Sequence, residues 1–306
     1  MTEPPPHRAA PAQRELFGMT AVVTGANSGI GLAVSRALAQ GGAAVVLACR
    51  DTGRGARAAE ALRAETGNDQ VQPGVLDLAS LRSIRSFAST LTGPLDLLIN
   101  NAGGISRVRR ETSDGFELQF GVHHLGHFAL TGLLLPRLAA ASAARVVTVS
   151  SVSHRYGRID FTDLSAERGY RPWQRYFMSK LANLVFTAEL GRRLTAADLP
   201  VTAMGAHPGL TDTNFLTGGY AAADLLGGLF RALVQPAGQG ALPVLHAALA
   251  PEAAQGDCYA PSGRLQLRGS PVRIRPAPRA LDQETGTRLW DASCALTGVR
   301  YLQVPA

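Results

Sequence analysis

The chain has 306 residues and a formal net charge of +7, from 30 basic and 23 acidic side chains. Its arginines are spread along the sequence, so a charged surface is favoured and nucleic acid is excluded as the expected partner. Three scattered cysteines, an odd number, exclude a disulfide framework and suit a reducing, cytoplasmic compartment. No apolar run reaches the ~18 residues of a membrane-spanning helix, so no membrane span is expected.

The N-terminal segment, residues 1–14, is rich in proline and has no apolar core. It is predicted to be a disordered lead-in rather than a signal peptide or an anchor. Residues 15–306 are long enough to bury a sizeable core and are predicted to form a single domain.

The first structured element is an apolar strand, followed by a glycine-rich turn and a stretch of helical periodicity over residues 32–40. A unit of this kind binds a pyrophosphate. Gly25 allows the tight turn, Gly29 lets the backbone approach the phosphates, and Gly31 lets the helix pack close to the strand. The helix N-terminus adds free N–H groups and partial positive charge. An ordinary surface loop is the alternative. The predicted cofactor residues of this turn are Gly25, Asn27, Ser28, Gly29, Ile30 and Gly31.

The second apolar strand ends in Cys49 and Arg50. In nucleotide-binding sheets an acid at this place binds the ribose diol of NAD, whereas a cation accommodates the additional phosphate of NADP. A guanidinium suits a phosphate well, so Arg50 predicts NADP(H), with NAD(H) the less favoured cofactor. Two points argue against NADP(H): an acidic residue, Asp51, adjoins Arg50, and Arg50 is alternatively an ordinary surface arginine.

Apolar strands are predicted at about 20–24, 44–49, 71–76, 95–99, 145–150, 200–206 and 257–259, separated by helical patterns. This alternation indicates an α/β fold with a parallel sheet and helices on both faces. Ligands bind at the carboxyl ends of such strands, and three of the strands are followed by polar or glycine-containing motifs. These are Asn100-Asn101-Ala102-Gly103, Ser150-Ser151 and His207-Pro208-Gly209-Leu210-Thr211-Asp212-Thr213.

Tyr176 and Lys180 lie four residues apart, which is one turn of a helix. An ammonium beside a phenol favours the phenolate and is predicted to lower the pKa of Tyr176 toward neutral pH. A tyrosine tuned in this way can exchange a proton with a carbonyl or an alcohol. A solvated tyrosine with a neighbouring lysine is the alternative.

Five motifs in this order, from about Thr20 to Tyr301, resemble the short-chain dehydrogenase/reductase family. Ala48-Cys49-Arg50 and His124-Leu125-Gly126-His127-Phe128 resemble its retinol-dehydrogenase-like and carbonyl-reductase-like branch. The resemblance implies a Rossmann-type, doubly wound sheet of about seven strands in the order 3-2-1-4-5-6-7. It also implies that Tyr176 is the acid/base, that Lys180 lowers its pKa and holds the nicotinamide ribose, and that Ser151 binds the substrate oxygen.

The resemblance implies further cofactor contacts. Asp77 and Leu78 would meet the adenine, although a helix cap is the alternative for Asp77. The other implied contacts are Asn101, Ala102 and Gly103 on the adenosine side, and Pro208, Gly209, Thr211 and Thr213 around the carboxamide and phosphates.

His123 departs from the family pattern, which places an asparagine here to help hold a water that links the lysine to solvent. Imidazole can donate, accept and titrate near neutral pH, so His123 is predicted to keep this relay working. A locally satisfied histidine is the alternative. His123 and His127 have the i, i+4 spacing of metal ligands, but the glutamate of the zinc-protease motif is missing and no metal is expected.

These residues predict transfer of a hydride between NADP(H) and a lipophilic or aromatic ketone, aldehyde or secondary alcohol. Apolar residues over 211–236 are predicted to form a substrate lid, and residues 154–175 a loop beside the substrate. Pairing of the His123 and Tyr176 helices would give a homodimer or homotetramer, by resemblance. A redox-neutral cyclase, epimerase or dehydratase on the same fold and a nucleotide-sensing protein are the two rival hypotheses.

Overall fold

The computed structural model of the chain describes residues 16–211 and 235–303. The predicted lead-in over 1–14 lies outside these residues, as do Thr213 and all but the ends of the predicted lid over 211–236.

The described strands form one eight-stranded sheet in the order β3-β2-β1-β4-β5-β6-β7-β8. The strands from β1 to β7 pair in parallel, which confirms the predicted doubly wound α/β fold. The strand order reverses between β1 and β4, where ligands bind in sheets of this kind. The strands are β1 (Thr20–Thr24), β2 (Ala44–Cys49), β3 (Val71–Val75), β4 (Leu97–Asn100), β5 (Ala144–Val149), β6 (Val201–Ala206), β7 (Cys258–Pro261) and β8 (Pro271–Ile274).

The eighth strand was not predicted, and it runs antiparallel to β7. Its sequence, Pro-Val-Arg-Ile, is short and has no buried residue, so it lacks the apolar run that marks most of the other strands. A proline at the first position is tolerated because this strand lies at the edge of the sheet.

Helices cover both faces of the sheet. Apolar side chains of α1, α2 and α7 pack on one face, and those of α3, α5, α6 and α8 pack on the other. The helices are α1 (Gly29–Gln40), α2 (Thr52–Thr66), α3 (Leu81–Thr90), α4 (Leu118–Phe120), α5 (Gly126–Ala139), α6 (Pro172–Ala196), α7 (Ala237–Leu249) and α8 (Gln283–Thr297).

Helix α6 is held by an aromatic and ionic cluster on the second face. The ring of Trp290 from α8 stacks on Phe186 and lies against Phe128. Arg193 lies 4.5 Å over the Trp290 ring and pairs with Glu189 at 2.6 Å. A buried ion pair of this kind fixes geometry more than it adds stability, and here it fixes the helix that carries Tyr176.

Within the two described stretches, we find no helix with both the length and the apolar composition needed to cross a bilayer.

Candidate active site

A cavity of about 540 Å³ opens at the carboxyl ends of the parallel strands. The turns after β1, β4, β5 and β6 line it, together with one side of α6. It brings together most of the residues predicted from the sequence: Gly25, Asn27, Ser28, Gly29, Ile30, Gly31, Asn101, Ala102, Gly103, Ser151, Tyr176, Lys180, Pro208, Gly209 and Thr211.

The glycine-rich turn forms a backbone cradle at one end of this cavity. Gly25 and Gly29 have φ angles of +66° and +55°, in the left-handed region that favours glycine. A Cβ atom on Gly31 would lie 2.5 Å from the Gly25 carbonyl oxygen. Ser28 is the N-cap of α1, but its side chain makes no capping hydrogen bond. Only glycine at 31 lets α1 begin this close to the turn, and the exposed backbone of the turn with the helix N-terminus fits a pyrophosphate.

Thr24 joins the turn after β1 to the turn after β4. Its Oγ1 accepts hydrogen bonds from the backbone N–H groups of Asn101 and Ala102, both at 2.9 Å. The Asn101 amide donates back to the Thr24 carbonyl at 2.8 Å. The Thr24 hydroxyl lies 2.9 Å from Nε2 of His127 on α5. One buried threonine therefore fixes two cavity-lining turns against each other and against α5.

His127 and His123 are buried and neutral. His127 Nδ1 donates to the His123 carbonyl at 3.0 Å, so its Nε2 accepts from Thr24. Burial lowers the pKa of His127 to about 4. Burial, with the charge of Lys180 in second place, lowers the pKa of His123 well below its usual value. The imidazole of His123 therefore does not titrate near neutral pH as expected, because it is removed from water.

His123 lies one layer behind the cavity, in a single π-helical turn (Gly121–Leu125) between α4 and α5. A Cβ on Gly103 would lie 2.9 Å from its ring. The Gly104 N–H donates to His123 Nε2 at 2.9 Å, so Nδ1 donates to Ser179 Oγ at 2.8 Å. Ser179 in turn donates to the Tyr176 carbonyl. His123 is thus connected to the helix of Tyr176, while its relay role stays a prediction.

The three neighbouring histidines, His123, His124 and His127, form hydrogen bonds to different partners. His124 Nε2 lies 2.8 Å from Ser293 Oγ on α8, whereas His123 and His127 bond to Ser179 and Thr24. Among residues 16–211 and 235–303, no group of three or more histidine, cysteine or acidic side chains is arranged to hold a metal ion.

Lys180 is a buried cation on α6, with 5% of its surface exposed. Its Nζ donates to the Val149 carbonyl at 3.2 Å, and the Asn183 amide donates to the same oxygen at 3.0 Å. Burial lowers the pKa of Lys180 to about 8, so the ammonium form still dominates at neutral pH.

Tyr176 lies one turn before Lys180 and is 8% exposed. The Lys180 Nζ lies 5.8 Å from the centre of its ring. Burial raises the pKa of Tyr176 to about 12, although a hydrogen bond with Ser151 acts in the opposite direction. The predicted lowering of the Tyr176 pKa is therefore wrong in direction, because loss of water around the phenol outweighs the hydrogen bond with Ser151. At neutral pH the phenol is protonated and can serve as an acid.

The two serines after β5 differ in their hydrogen bonds. Ser150 Oγ donates to the Lys180 carbonyl at 2.7 Å and so holds α6. Ser151 hydrogen-bonds Tyr176, and its Oγ also accepts from the Ser153 N–H at 3.3 Å. The Ser151 hydroxyl and the Tyr176 phenol form the polar centre of the cavity.

The family follows from comparison with known proteins. The sequence profile described as short chain dehydrogenase matches residues 19–222. The chain belongs to the short-chain dehydrogenase/reductase family. Retinol dehydrogenase 12 of Homo sapiens is 42% identical over 292 residues, which cover 94% of this chain and 89% of that protein. Polyprenol dehydrogenase of Mus musculus is also 42% identical over 292 residues, covering 92% and 84%.

A solved structure supports the same conclusion. The chain is 41% identical to an uncharacterised protein from Mycobacterium paratuberculosis, with a TM-score of 0.78 and coverage of 94% of this chain and 96% of that one. The predicted retinol-dehydrogenase-like branch is confirmed by these relatives, and the protein is an oxidoreductase of a family that binds NAD(P)(H) and acts on small molecules.

Three predicted cofactor residues of this short-chain dehydrogenase lie outside the cavity lining. Arg50 is exposed at the end of β2. Asp77 Oδ1 accepts from the Ala79 N–H at 3.0 Å, so its carboxylate closes a local turn. Leu78 is buried, and its carbonyl lies against Gly126.

Sequence reasoning missed Arg54 and Arg57, on the first turns of α2. With Leu32 and Ala58 they line a second, open cavity that also contains Asn27 and Ser28 of the glycine-rich turn. Arg54 pairs with the exposed Asp51 at 3.8 Å. They are three residues apart on α2 and so lie on one side of this helix, but nothing in the local sequence indicates that this side faces the glycine-rich turn.

Sequence reasoning also missed most of the apolar side of the main cavity. Trp173 and Phe177 lie at the start of α6, and Trp173 belongs to the segment 154–175 that was predicted to flank the substrate. Together they form part of a wall that consists of Ile105, Val152, Trp173, Phe177, Leu210 and Leu267.

Replacement of Thr24 by valine should destabilise the protein by about 2–4 kcal/mol, because two buried N–H groups and His127 lose their partner. Denaturant unfolding of Thr24→Val measures this cost. Thr202→Val is the matched control, since Thr202 is a half-buried threonine of β6 without a comparable network, and it should cost less than about 1 kcal/mol. Equal stability of the two variants would contradict the assigned role of Thr24.

Proposed function

We propose that the protein is an NADP(H)-dependent oxidoreductase that interconverts a lipophilic ketone or aldehyde and its alcohol. The observation that carries this proposal is the Tyr176 phenol, hydrogen-bonded to Ser151 and placed between a pyrophosphate cradle and an apolar wall. The names of two relatives, a retinol dehydrogenase and a polyprenol dehydrogenase, support a lipophilic alcohol as the substrate class.

In the proposed reaction, the glycine-rich turn and Lys180 would hold the nicotinamide cofactor, which would supply or accept the hydride. The Ser151 hydroxyl donates a hydrogen bond to the carbonyl oxygen and orients it. Tyr176 then gives its phenolic proton to this oxygen as negative charge develops there. The ammonium of Lys180, one helical turn away, stabilises the phenolate that is left. The apolar wall with Trp173 and Phe177 excludes water from the reacting group.

We also propose that NADP(H) is preferred over NAD(H). Arg54 and Arg57 line the second cavity. This cavity shares two lining residues of the glycine-rich turn, Asn27 and Ser28, with the main cavity. Arg50 adds a third cation at the adjacent end of β2. Guanidinium groups bind phosphate oxygens through charge-assisted hydrogen bonds, which suits the additional phosphate of NADP.

Tyr176→Phe should lower kcat for carbonyl reduction by about 10³-fold or more, because it removes the only proposed proton donor to the oxygen. NADPH binding, followed by fluorescence titration, should change by less than about twofold, since the ring is kept. Tyr259→Phe, at a buried tyrosine of β7, is the control and should keep full activity. Normal turnover by Tyr176→Phe would rule out the assignment.

The two reaction directions should differ in their response to pH. With a pKa of about 12, Tyr176 is already protonated throughout the range from about pH 6 to 8, while its small phenolate fraction rises about tenfold per unit. Reduction should therefore stay constant within about twofold over this range, and alcohol oxidation should rise. Lys180, with a pKa of about 8, is charged at pH 6 and still about half charged at pH 8, which keeps its effect on the reduction rate within this twofold range. Initial rates in both directions test this, and oxidation that is independent of pH would contradict it.

The double variant Arg54→Gln/Arg57→Gln should raise KM for NADPH by about tenfold or more and KM for NADH by less than about twofold, because only NADPH carries the additional phosphate. Arg82→Gln/Arg300→Gln removes the same charge at two exposed sites outside this cavity and should change neither value. An equal loss for both cofactors would place these arginines outside the phosphate site.

A further inference from the structure

The turn between β7 and β8, residues 262–270, has a strained backbone. Leu265 and Gln266 are consecutive non-glycine residues with φ angles of +65° and +57°, in the left-handed region. Leu265 is 72% exposed, so burial of its side chain does not compensate for this conformation. Strain of this kind persists only where surrounding contacts impose it, and it concentrates at ligand sites.

Backbone hydrogen bonds close this turn internally, such as that from the Gly263 N–H to the Arg268 carbonyl at 2.9 Å, and the side chain of Gln266 joins it to neighbouring segments. Its Oε1 accepts from His207 Nε2 and from the Arg155 guanidinium, both at 3.1 Å. The Gly209 N–H donates to His207 Nδ1 at 3.2 Å, so Nε2 carries the imidazole proton. Burial lowers the pKa of His207 to about 4, which keeps the ring neutral and this arrangement fixed at neutral pH.

The two donors belong to segments that line the active-site cavity. Arg155 lies in the short helical turn that directly follows Ser151. The residue before Arg155, His154, donates to the Ser151 carbonyl at 2.7 Å. His207 precedes the segment 208–211, which faces the proposed cofactor site. One carboxamide oxygen therefore connects the β7–β8 turn to the catalytic-serine turn and to the cofactor side.

Leu267 follows Gln266 directly and lines the active-site cavity. Its carbonyl accepts from the Leu210 N–H at 2.9 Å. The same carbonyl lies so close to Gly209 that a side chain there would collide with it. The backbone at 267 is thus hydrogen-bonded to the cofactor-facing segment, and Leu267 lines the same cavity as Trp173 and Phe177.

From these contacts we infer that Gln266 is a positioning residue and that Leu267 determines specificity for the apolar substituent of the carbonyl substrate. The inference rests on the proposed carbonyl/alcohol chemistry. Gln266 holds the strained turn so that Leu267 lines the cavity. Substrates whose larger substituent is apolar and fits against Leu267 bind, and substrates that need more room at this position are rejected.

Gln266→Leu keeps the size of the side chain but removes the acceptor. It should raise KM for an aryl ketone by about tenfold while kcat and the Kd for NADPH change by less than about threefold, because the backbone hydrogen bond from Leu210 to Leu267 still holds the cofactor-facing segment. Gln266→Glu keeps an acceptor for both donors and should retain KM within about threefold. Gln70→Leu, at an exposed glutamine before β3, is the matched control and should behave as the native protein.

Leu267→Ala tests the specificity role without the hydrogen bonds. It should increase kcat/KM for a bulky aryl ketone relative to a small one by about tenfold, because the wall recedes by three carbon atoms. An unchanged ratio would overturn the assignment of Leu267. The assignment of Gln266 as a positioning residue would be overturned if Gln266→Leu weakened NADPH and ketone binding equally. It would also be overturned if Gln70→Leu raised KM for the ketone as much as Gln266→Leu does.

A third readout needs no substrate. Arg264 and Arg268 flank the strained residues, so trypsin followed by mass spectrometry reports opening of this turn. Cleavage at these two arginines should be at least about fivefold faster in Gln266→Leu than in the native chain and Gln70→Leu, because local opening precedes proteolysis. Equal cleavage rates would contradict the positioning role. If the native protein reduces no carbonyl compound, the proposed function fails, and the cleavage rates still decide whether Gln266 holds the turn.

Discussion

The hydrogen bond between the Lys180 ammonium and the Val149 carbonyl, 3.2 Å apart in the protein interior, is the interaction on which the active site depends. A buried charge is costly unless it is hydrogen-bonded, so this contact fixes the position of α6 at the end of β5. Asn183 donates to the same carbonyl, and Ser150 donates to the carbonyl of Lys180. Three bonds therefore join helix and strand, and as a consequence Tyr176 faces Ser151.

The same removal of water sets the protonation states around this lysine. It lowers the pKa of Lys180 and of the nearby histidines, and it raises that of Tyr176. At neutral pH the site therefore contains one cation, a protonated phenol and neutral imidazoles. In this state the Tyr176 phenol keeps the proton that the proposed reaction uses, and His123 links the Gly104 backbone to Ser179 by hydrogen bonds, while its relay role stays a prediction.

Local sequence patterns were sufficient for much of this structure. Most of the strands β1 to β7 were predictable because they are apolar runs, and the glycine-rich turn because its glycines follow β1 directly; β3, Val-Gln-Pro-Gly-Val, followed from the alternation of strands and helices. Apolar runs and turn glycines act over a few residues, so their signal is contained in the sequence nearby. The strand β8 was missed because its four residues have no buried face.

Other features depend on distant parts of the chain and could not be predicted. The direction of the Tyr176 pKa shift follows from burial of the phenol by several elements. The spacing of Tyr176 and Lys180 in the sequence does not reveal this burial. The role of Arg54 depends on the packing of α2 beside Ser28, and that of Gln266 on an unusual backbone angle and on donors more than 50 residues away. Tertiary contacts of this kind have no local signature in composition or periodicity.

The central claim is that Tyr176 and Lys180 serve net carbonyl reduction rather than a redox-neutral rearrangement. Its most direct test is incubation of the native protein with a lipophilic ketone and NADPH deuterated at the nicotinamide C4, followed by mass spectrometry of the product. We expect an alcohol with one deuterium at the former carbonyl carbon and one NADPH consumed per product molecule. Product formed without deuterium and without loss of NADPH absorbance would contradict the account.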